Sequence, residues 1–237
     1  MMIDEVANLY GPGLASEYAG KEGWKPIEPG DVCWEDINGD NKINGLDREV
    51  VGNIFPKVTG GFSSTLSWKG ISLYARFDYA LGHTLYNDLA ARTLGQYQGA
   101  FNIITEVKDM WSEDNPNSDL PAFYYADQLA KKNITRSNNA SASRHNNSSR
   151  LYEKADYLAL RELPLSWDLP KAWTSKAFIQ NASVYVTGQN LFYVTGYTGT
   201  SPEPVLTNSD NNENLYGVDQ GRYPTPRTVL FGLSVTF

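Results

Sequence analysis

Two adjacent stretches carry the sharpest alternation of apolar and polar positions. In VTGGFSSTLSW, Val58 to Trp68, the even positions Val58, Gly60, Phe62, Ser64, Leu66 and Trp68 fall on one side of an extended chain. Thr59, Gly61, Ser63, Thr65 and Ser67 fall on the other. A period of two is that of a β-strand with one apolar face. Lys69-Gly70 then supplies a tight turn, glycine tolerating positive φ there. The next run keeps the pattern: Ile71, Leu73, Ala75, Phe77 and Tyr79 share one face, Ser72, Tyr74, Arg76 and Asp78 the other. Together they predict an antiparallel hairpin.

Three further runs follow. Leu158 and Leu160 sit on even positions, but Leu163, Leu165 and Trp167 sit on odd ones. One bulge near Arg161-Glu162 would return all five to a common face. Pro164 has no N–H to give a ladder and weakens the strand or forces that bulge. Residues 183–195 are apolar on both faces, which leaves their orientation open. The last run places Val229, Phe231, Leu233, Val235 and Phe237 opposite Thr228, Leu230, Gly232, Ser234 and Thr236. Strands are therefore expected at about 57–68, 71–86, 151–168, 183–195 and 225–237, the class being all-β. Phe101, Ile104, Val107 and Trp111 add one short amphipathic helix over 101–111. The rest of 87–150, and 196–224, read as long polar loops.

Composition narrows the function classes. Twenty Lys+Arg against 27 Asp+Glu in 237 residues give a net charge of −7, so no basic stripe exists for nucleic acid. The single cysteine excludes an internal disulfide framework. His83 and His145 are the two histidines, too few for a His-based metal cluster, and His83 reads as a turn residue. The opening MMIDEVANLYGPG has neither the basic nor the apolar region of a secretory signal. Read alone it suggests a cytosolic chain; under a barrel reading, an export signal lies upstream. No acid–nucleophile or paired-carboxylate constellation emerges, and the chain is expected to be non-enzymatic.

The alternation fits two architectures. A soluble sandwich turns the apolar face inward; a membrane barrel turns it toward lipid and keeps Ser, Thr and Gly in the lumen. Connection lengths favour the barrel. They alternate long and short from the C-terminus (196–224, 169–182, 87–150, 69–70, then all before 57), as barrels with short periplasmic turns and long extracellular loops do. Trp68, Trp167, Tyr157 and Tyr185 suit an interfacial girdle, or equally the rim of a sandwich. Arg76 and Asp78 would line the lumen; Asp219 and Arg222 lie in a polar loop and are candidates for touching substrate or partner, though nothing in the sequence ranks them. The rival is a secreted calcium-binding β-sandwich that binds carbohydrate.

Five pieces, in order, carry a family resemblance: PGDVCWEDINGDNKINGLDREVVGNIFPKVTGGF, LSWKGISLYARFDYALGHTLYN, DYLALRELPLSWDLPK, VYVTGQNLFYVTGYTGTSPEP and GVDQGRYPTPRTVLFGLSVTF. From about Pro29 to Phe237 the chain resembles the C-terminal part of the SusC/RagA family of TonB-dependent outer-membrane transporters. The resemblance implies a large transmembrane β-barrel of about 22 strands, plugged by an N-terminal domain and energised through TonB. This chain supplies about five strands and no plug, and is read as a fragment of such a barrel. It also implies the outer membrane of a Gram-negative bacterium, import of glycans or peptides, and a SusD-like substrate-binding lipoprotein partner. TonB would act through the missing N-terminal part. Two departures stand out: Pro164, and Ala159 where a basic or polar residue is usual. Gly232, Val235 and terminal Phe237 resemble the signal read by the outer-membrane assembly machinery, with Leu230 at a position more often polar.

Within residues 1–56, expected to be an extracellular loop region, Asp36, Asn38, Asp40, Asn44 and Asp47 occupy positions 1, 3, 5, 9 and 12 of a calcium-type loop. Lys42 at position 7 would give its backbone carbonyl. A hard cation wants six to eight oxygens, which this set and one water can supply. Asn41 stands where glycine is usual and Asp47 where a bidentate Glu is usual. The alternative is a metal-free Asx-turn loop; a bound calcium would be structural.

Overall fold

The structure is a computed structural model that describes residues 29–30, 35, 37–40, 46, 48–94, 102–122, 149–203 and 216–237. The chain divides into two compact units, Met1–Val51 with Tyr86–Tyr152, and Gly52–Leu85 with Glu153–Phe237.

The second unit holds a five-stranded sheet. β1 (Val58–Trp68), β2 (Ile71–Leu81), β5 (Tyr157–Asp168), β6 (Asn181–Thr195) and β8 (Thr228–Thr236) pair in that order, every neighbour antiparallel. Short strands β3 (Thr84–Asn87), β4 (Tyr152–Lys154) and β7 (Val218–Asp219) form another sheet in the order β4-β3-β7. The β1–β2 hairpin turns on Lys69 and Gly70, both at positive φ. Phe62 and Phe77, paired across it, stack with ring centres 4.9 Å apart.

Register decides which side chains share a face. Leu66 pairs with Leu73, Leu73 with Leu165, Leu165 with Val186, and Val186 with Phe231. Above the bulge, Tyr79 pairs with Leu158 and Leu158 with Val194. One apolar face therefore crosses all five strands, and it is bare: Phe231 is 82% exposed, Leu66 66% and Phe237 80%. A soluble sandwich would bury these side chains; among the described residues nothing packs over them. The opposite face carries Ser, Thr, Arg76, Asp78 and Tyr193, with a small cluster of Ala80, Tyr157, Ala159 and Tyr193 near the strand ends that lead to the long connections.

The register slips on both sides of β5. Leu160 pairs with Phe77 and Glu162 with Arg76, so Arg161 is the extra residue. The bulge falls where the leucine phase changes, and it restores Leu158, Leu160, Leu163, Leu165 and Trp167 to one face. Pro164 pairs with Thr187 of β6, while no pairing joins it to β2. Its missing donor thus falls on the β2 side, beside the bulge. The orientation of β6, open from sequence, follows from its partners: Val184, Val186, Phe192 and Val194 lie on the apolar face.

Four expectations about the sheets need correcting. β2 ends at Leu81, because Gly82 takes φ +84 and donates its N–H to Asp156 (2.5 Å); the chain then joins the small sheet as β3. The strand expected over 151–168 breaks at Ala155-Asp156 into β4 and β5. The last strand starts at Thr228, after Pro224 and Pro226, which have no N–H to pair. Tyr157 and Tyr185 lie opposite Ala80 and Gly232, on the polar face, so of the proposed girdle only Trp68 and Trp167 lie on the apolar side. Tyr185 lies flat against Gly232, where a Cβ would run into its ring.

In the first unit, Asn87 caps α1 (Asp88–Thr93), its Oδ1 accepting the Ala90 N–H at 2.9 Å. The helix expected over 101–111 is a five-residue 3₁₀ turn, Thr105–Asp109, with no buried side chain. Ile104 offers no capping oxygen, and Ile103, Thr105 and Val107 are β-branched, so nothing offsets the cost of a longer helix. Phe101 lies outside the described residues. Trp111 packs over Gly30, and the Ala122 N–H reaches the Gly30 carbonyl at 2.7 Å.

These faces predict unequal outcomes for two arginines on β8 of the intact protein. Phe231→Arg should cost about 2–4 kcal/mol toward the middle of a bilayer and sharply lower the folded, membrane-inserted fraction. Ser234→Arg, on the other face, should leave that fraction near wild type, as read by heat-modifiable mobility on gels.

Candidate functional site

The polar face gathers its charge around the bulge. A bulge re-aims the side chain of its extra residue, and here Arg161 lays its guanidinium across small Ala159, from Asp78 on β2 to Tyr193 on β6. Asp78, Ala159 and Tyr193 are cross-strand neighbours in one row. Arg161 donates from Nε to Asp78 Oδ1 (2.5 Å) and from Nη2 to Oδ2 (2.9 Å), a two-pronged pair. Nη1 donates to the Tyr193 hydroxyl at 2.8 Å, and the cation sits 5.3 Å from the Tyr193 ring centre. Along the same face Arg76 faces Glu162 at 3.7 Å. Ala159, 1% exposed, puts only a methyl group between Asp78 and Tyr193 in that row.

A second carboxylate reaches Arg161 from outside the sheet. After β6 the chain folds back, and Glu203 meets Arg161 Nη2 at 2.6 Å while accepting the Tyr193 hydroxyl at 2.7 Å. Residues 196–203 thus form a strap seated on the polar face, pinned at several points. Thr198 donates from its amide (2.9 Å) and its hydroxyl (2.8 Å) to Glu153. Asp219, 1% exposed, accepts from the Tyr197 hydroxyl (2.9 Å), the Thr200 amide and hydroxyl (3.0 Å each) and the Gly221 amide (3.0 Å). His83, wholly buried, places Nε2 2.8 Å from the Pro202 carbonyl. A carbonyl only accepts, so Nε2 carries the proton. Nδ1 has no partner among the described residues. Burial, followed by the charge of Asp219, pushes the Tyr197 phenol well above its ordinary range, so it remains a donor at physiological pH.

The predicted residues fare unevenly. Arg76 and Asp78 stand on the polar face as expected, and His83 is a turn residue with a definite task. Asp219 is a buried brace rather than a surface contact. No sequence pattern singles out Tyr193 or Glu203, and the only signal for Arg161 is the phase slip in the leucines, which marks the bulge. Asp36, Lys42, Asn44 and Asp47 of the calcium-type loop lie outside the described residues. Asn38 and Asp40 form an Asx turn, the Asp40 N–H reaching Asn38 Oδ1 at 2.9 Å around Gly39 at φ +74. Gly232 and Val235 pair with Tyr185 and Ala182, and Phe237 follows the end of β8.

No family model matches the chain. Over 99% of its length it is 30% identical to TonB-dependent receptor P3 of Formosa agariphila, of which it covers 22%. Over 90% it is 30% identical to TonB-dependent receptor P26 of the same organism, covering 20%. The chain spans about a fifth of the length of the curated relatives it matches. Solved structures that share its fold include two RagAB complexes. A RagAB peptide transporter aligns with 78% of this chain and 17% of its own at a TM-score of 0.57 and 28% identity. The RagAB peptide importer in its "closed-closed" state aligns with 90% and 21% at 0.61 and 26%. The bare apolar face and the polar face behind it are the lipid and lumen sides of strands from a large antiparallel β-barrel. Over nearly its whole length the chain is similar to TonB-dependent receptors and to the RagAB transporters, in line with its resemblance to the C-terminal part of the SusC/RagA type.

Proposed function

We propose that this chain forms the C-terminal wall of an outer-membrane importer that takes up glycan fragments or peptides with energy delivered through TonB. The observation that carries the reading is the two-faced sheet, bare Phe62, Leu66, Phe231 and Leu233 behind a charged and hydroxyl-rich face. The named relatives support TonB coupling. The similar RagAB structures, a peptide transporter and importer, support an organic nutrient as cargo and a second protein in the assembly. That second protein is proposed to be a SusD-like lipoprotein lid over the long-loop side. The chain's role is passage rather than catalysis. Gly232, Val235 and Phe237 would guide β8 into the assembly machinery as an alternating strand that can extend an open sheet.

Calcium would brace the loop before β1. Asn38 and Asp40 supply two of the oxygens that a hard cation needs, with Asp36, Asn44, Asp47 and the Lys42 carbonyl completing the set. With the intact receptor, calcium at millimolar concentration should raise the unfolding temperature, and Asp36→Ala with Asp40→Ala should abolish that rise. An equal rise in the double variant would remove calcium from the account.

The import reading is tested in the native host. An antibody against this chain should detect a detergent-extractable outer-membrane band far larger than 26.4 kDa. Deleting the gene should abolish growth on one glycan or peptide source while leaving growth on simple sugars intact. A soluble band at 26.4 kDa, or unimpaired growth on every polymer tried, would contradict the proposal.

A further inference from the structure

The contacts of Arg161 divide into a fixed half and an exchangeable half. Asp78 takes Nε and Nη2 from a neighbouring strand of the same sheet, at 2.5 and 2.9 Å, and Tyr193 takes Nη1 from the other neighbour. Those partners are held by the ladders. Glu203 is different: it arrives on the strap, from outside the sheet, although the two carboxylates are equally exposed, each at 35%. A second carboxylate on one guanidinium also leaves the cluster of Arg76, Arg161, Asp78, Glu162 and Glu203 with two positive and three negative groups. Without Glu203 the cluster is neutral and Arg161 Nη2 regains the donor that Asp78 does not use. Like-charged Asp78 and Glu203 disfavour one another across the shared cation. The seat of the strap is itself imperfect, because buried His83 spends one nitrogen on Pro202 and has no partner among the described residues for the other.

We propose that Glu203 is a resident stand-in for a substrate carboxylate. An incoming carboxylate displaces it from Arg161 and Tyr193, and displacement lifts residues 201–203 off the lumen wall. This rests on the import reading and refines it to anionic cargo: the C-terminal carboxylate of a peptide, or a uronate of an acidic glycan. Guanidinium geometry suits a planar carboxylate, and the Tyr193 hydroxyl supplies the second donor that Glu203 uses now. The exchange swaps one carboxylate for another on the same donors, so its equilibrium is set by the tether. The strap that presents Glu203 is held one residue earlier, where Pro202 meets His83, so cargo competes with an intramolecular carboxylate. Neutralising Glu203 removes the competitor without touching the donors.

The test uses the intact receptor, purified in detergent, with three probes: a free-acid alanine hexapeptide, the same peptide as its C-terminal amide, and oligogalacturonate. Glu203→Gln should bind a carboxylate probe about tenfold more tightly than wild type and leave the amide unchanged. Tightening for the free-acid peptide alone assigns the site to peptides; tightening for oligogalacturonate alone assigns it to acidic glycans. Arg161→Gln should lose the gain when combined with Glu203→Gln. Because loss of the arginine could disturb folding, a spin label at Ser201, with Cys33 replaced, gives an independent readout. In otherwise wild-type receptor it should become more mobile on adding the carboxylate probe and stay unchanged with the amide. Equal affinities in wild type and Glu203→Gln for both acids, or a strap equally mobile with acid and amide, would overturn the exchange. Import measured by growth could persist in that case, so the two ideas fail separately.

Discussion

The arrangement depends on keeping one apolar face continuous across five strands whose ladders do not run in simple register. Side chains alternate with a strict period of two, so a one-residue slip moves every following side chain to the opposite face. In water such a slip exposes some leucines; in hydrocarbon it would put Glu162 into lipid and Leu163 into a wet lumen. The β5 bulge is the solution that lets both the sequence and the bilayer be satisfied. It absorbs one residue at Arg161, beside Pro164, where the ladder to β2 already lacks a donor. The residue removed from the ladder becomes the residue that organises the polar face.

That coupling explains why the charge cluster sits where it does. A lone arginine on a barrel wall would need a partner, since an unpaired cation away from bulk water is costly. Asp78, one strand away, is that partner, and Ala159 between them is small enough to let the guanidinium cross. Tyr157 and Tyr193 flank it with ring faces and a hydroxyl. The strap then attaches to this platform, with Asp219, Glu153 and His83 holding its course and Arg161 and Tyr193 holding Glu203. The polar face is therefore a wall with a loop laid on it, and loops presented by a rigid scaffold are where recognition usually resides.

Much of the sheet is legible in the amino-acid pattern. The β1–β2 hairpin is, because both runs alternate cleanly and Lys69-Gly70 permits only a tight turn. The bulge is, because five leucine and tryptophan positions change phase once and Arg161-Glu162 is the only polar pair at the change. The orientation of β6 is not, since Val184 and Tyr185, or Phe192 and Tyr193, are apolar on both faces; only pairing to Leu165 and Phe231 settles it. The 101–111 helix does not form because helical spacing alone cannot outweigh β-branched residues and an absent cap. The strap leaves no local trace: Glu203 lies in a polar loop indistinguishable from its neighbours, and its meeting with Arg161 is a long-range event that no local pattern encodes. The family resemblance locates the strands but carries no information about that meeting.

The central claim is the phase of β5, and site-directed spin labelling of the intact receptor in lipid bilayers tests it directly. Single labels from Leu158 to Trp167 would be read for oxygen, which partitions into lipid, and for a water-soluble nickel chelate. Oxygen accessibility should peak at 158, 160, 163, 165 and 167, with the nickel signal in antiphase and one phase slip at 161–162. An unbroken period of two through Arg161, or the two reagents reaching every position alike, would contradict the account.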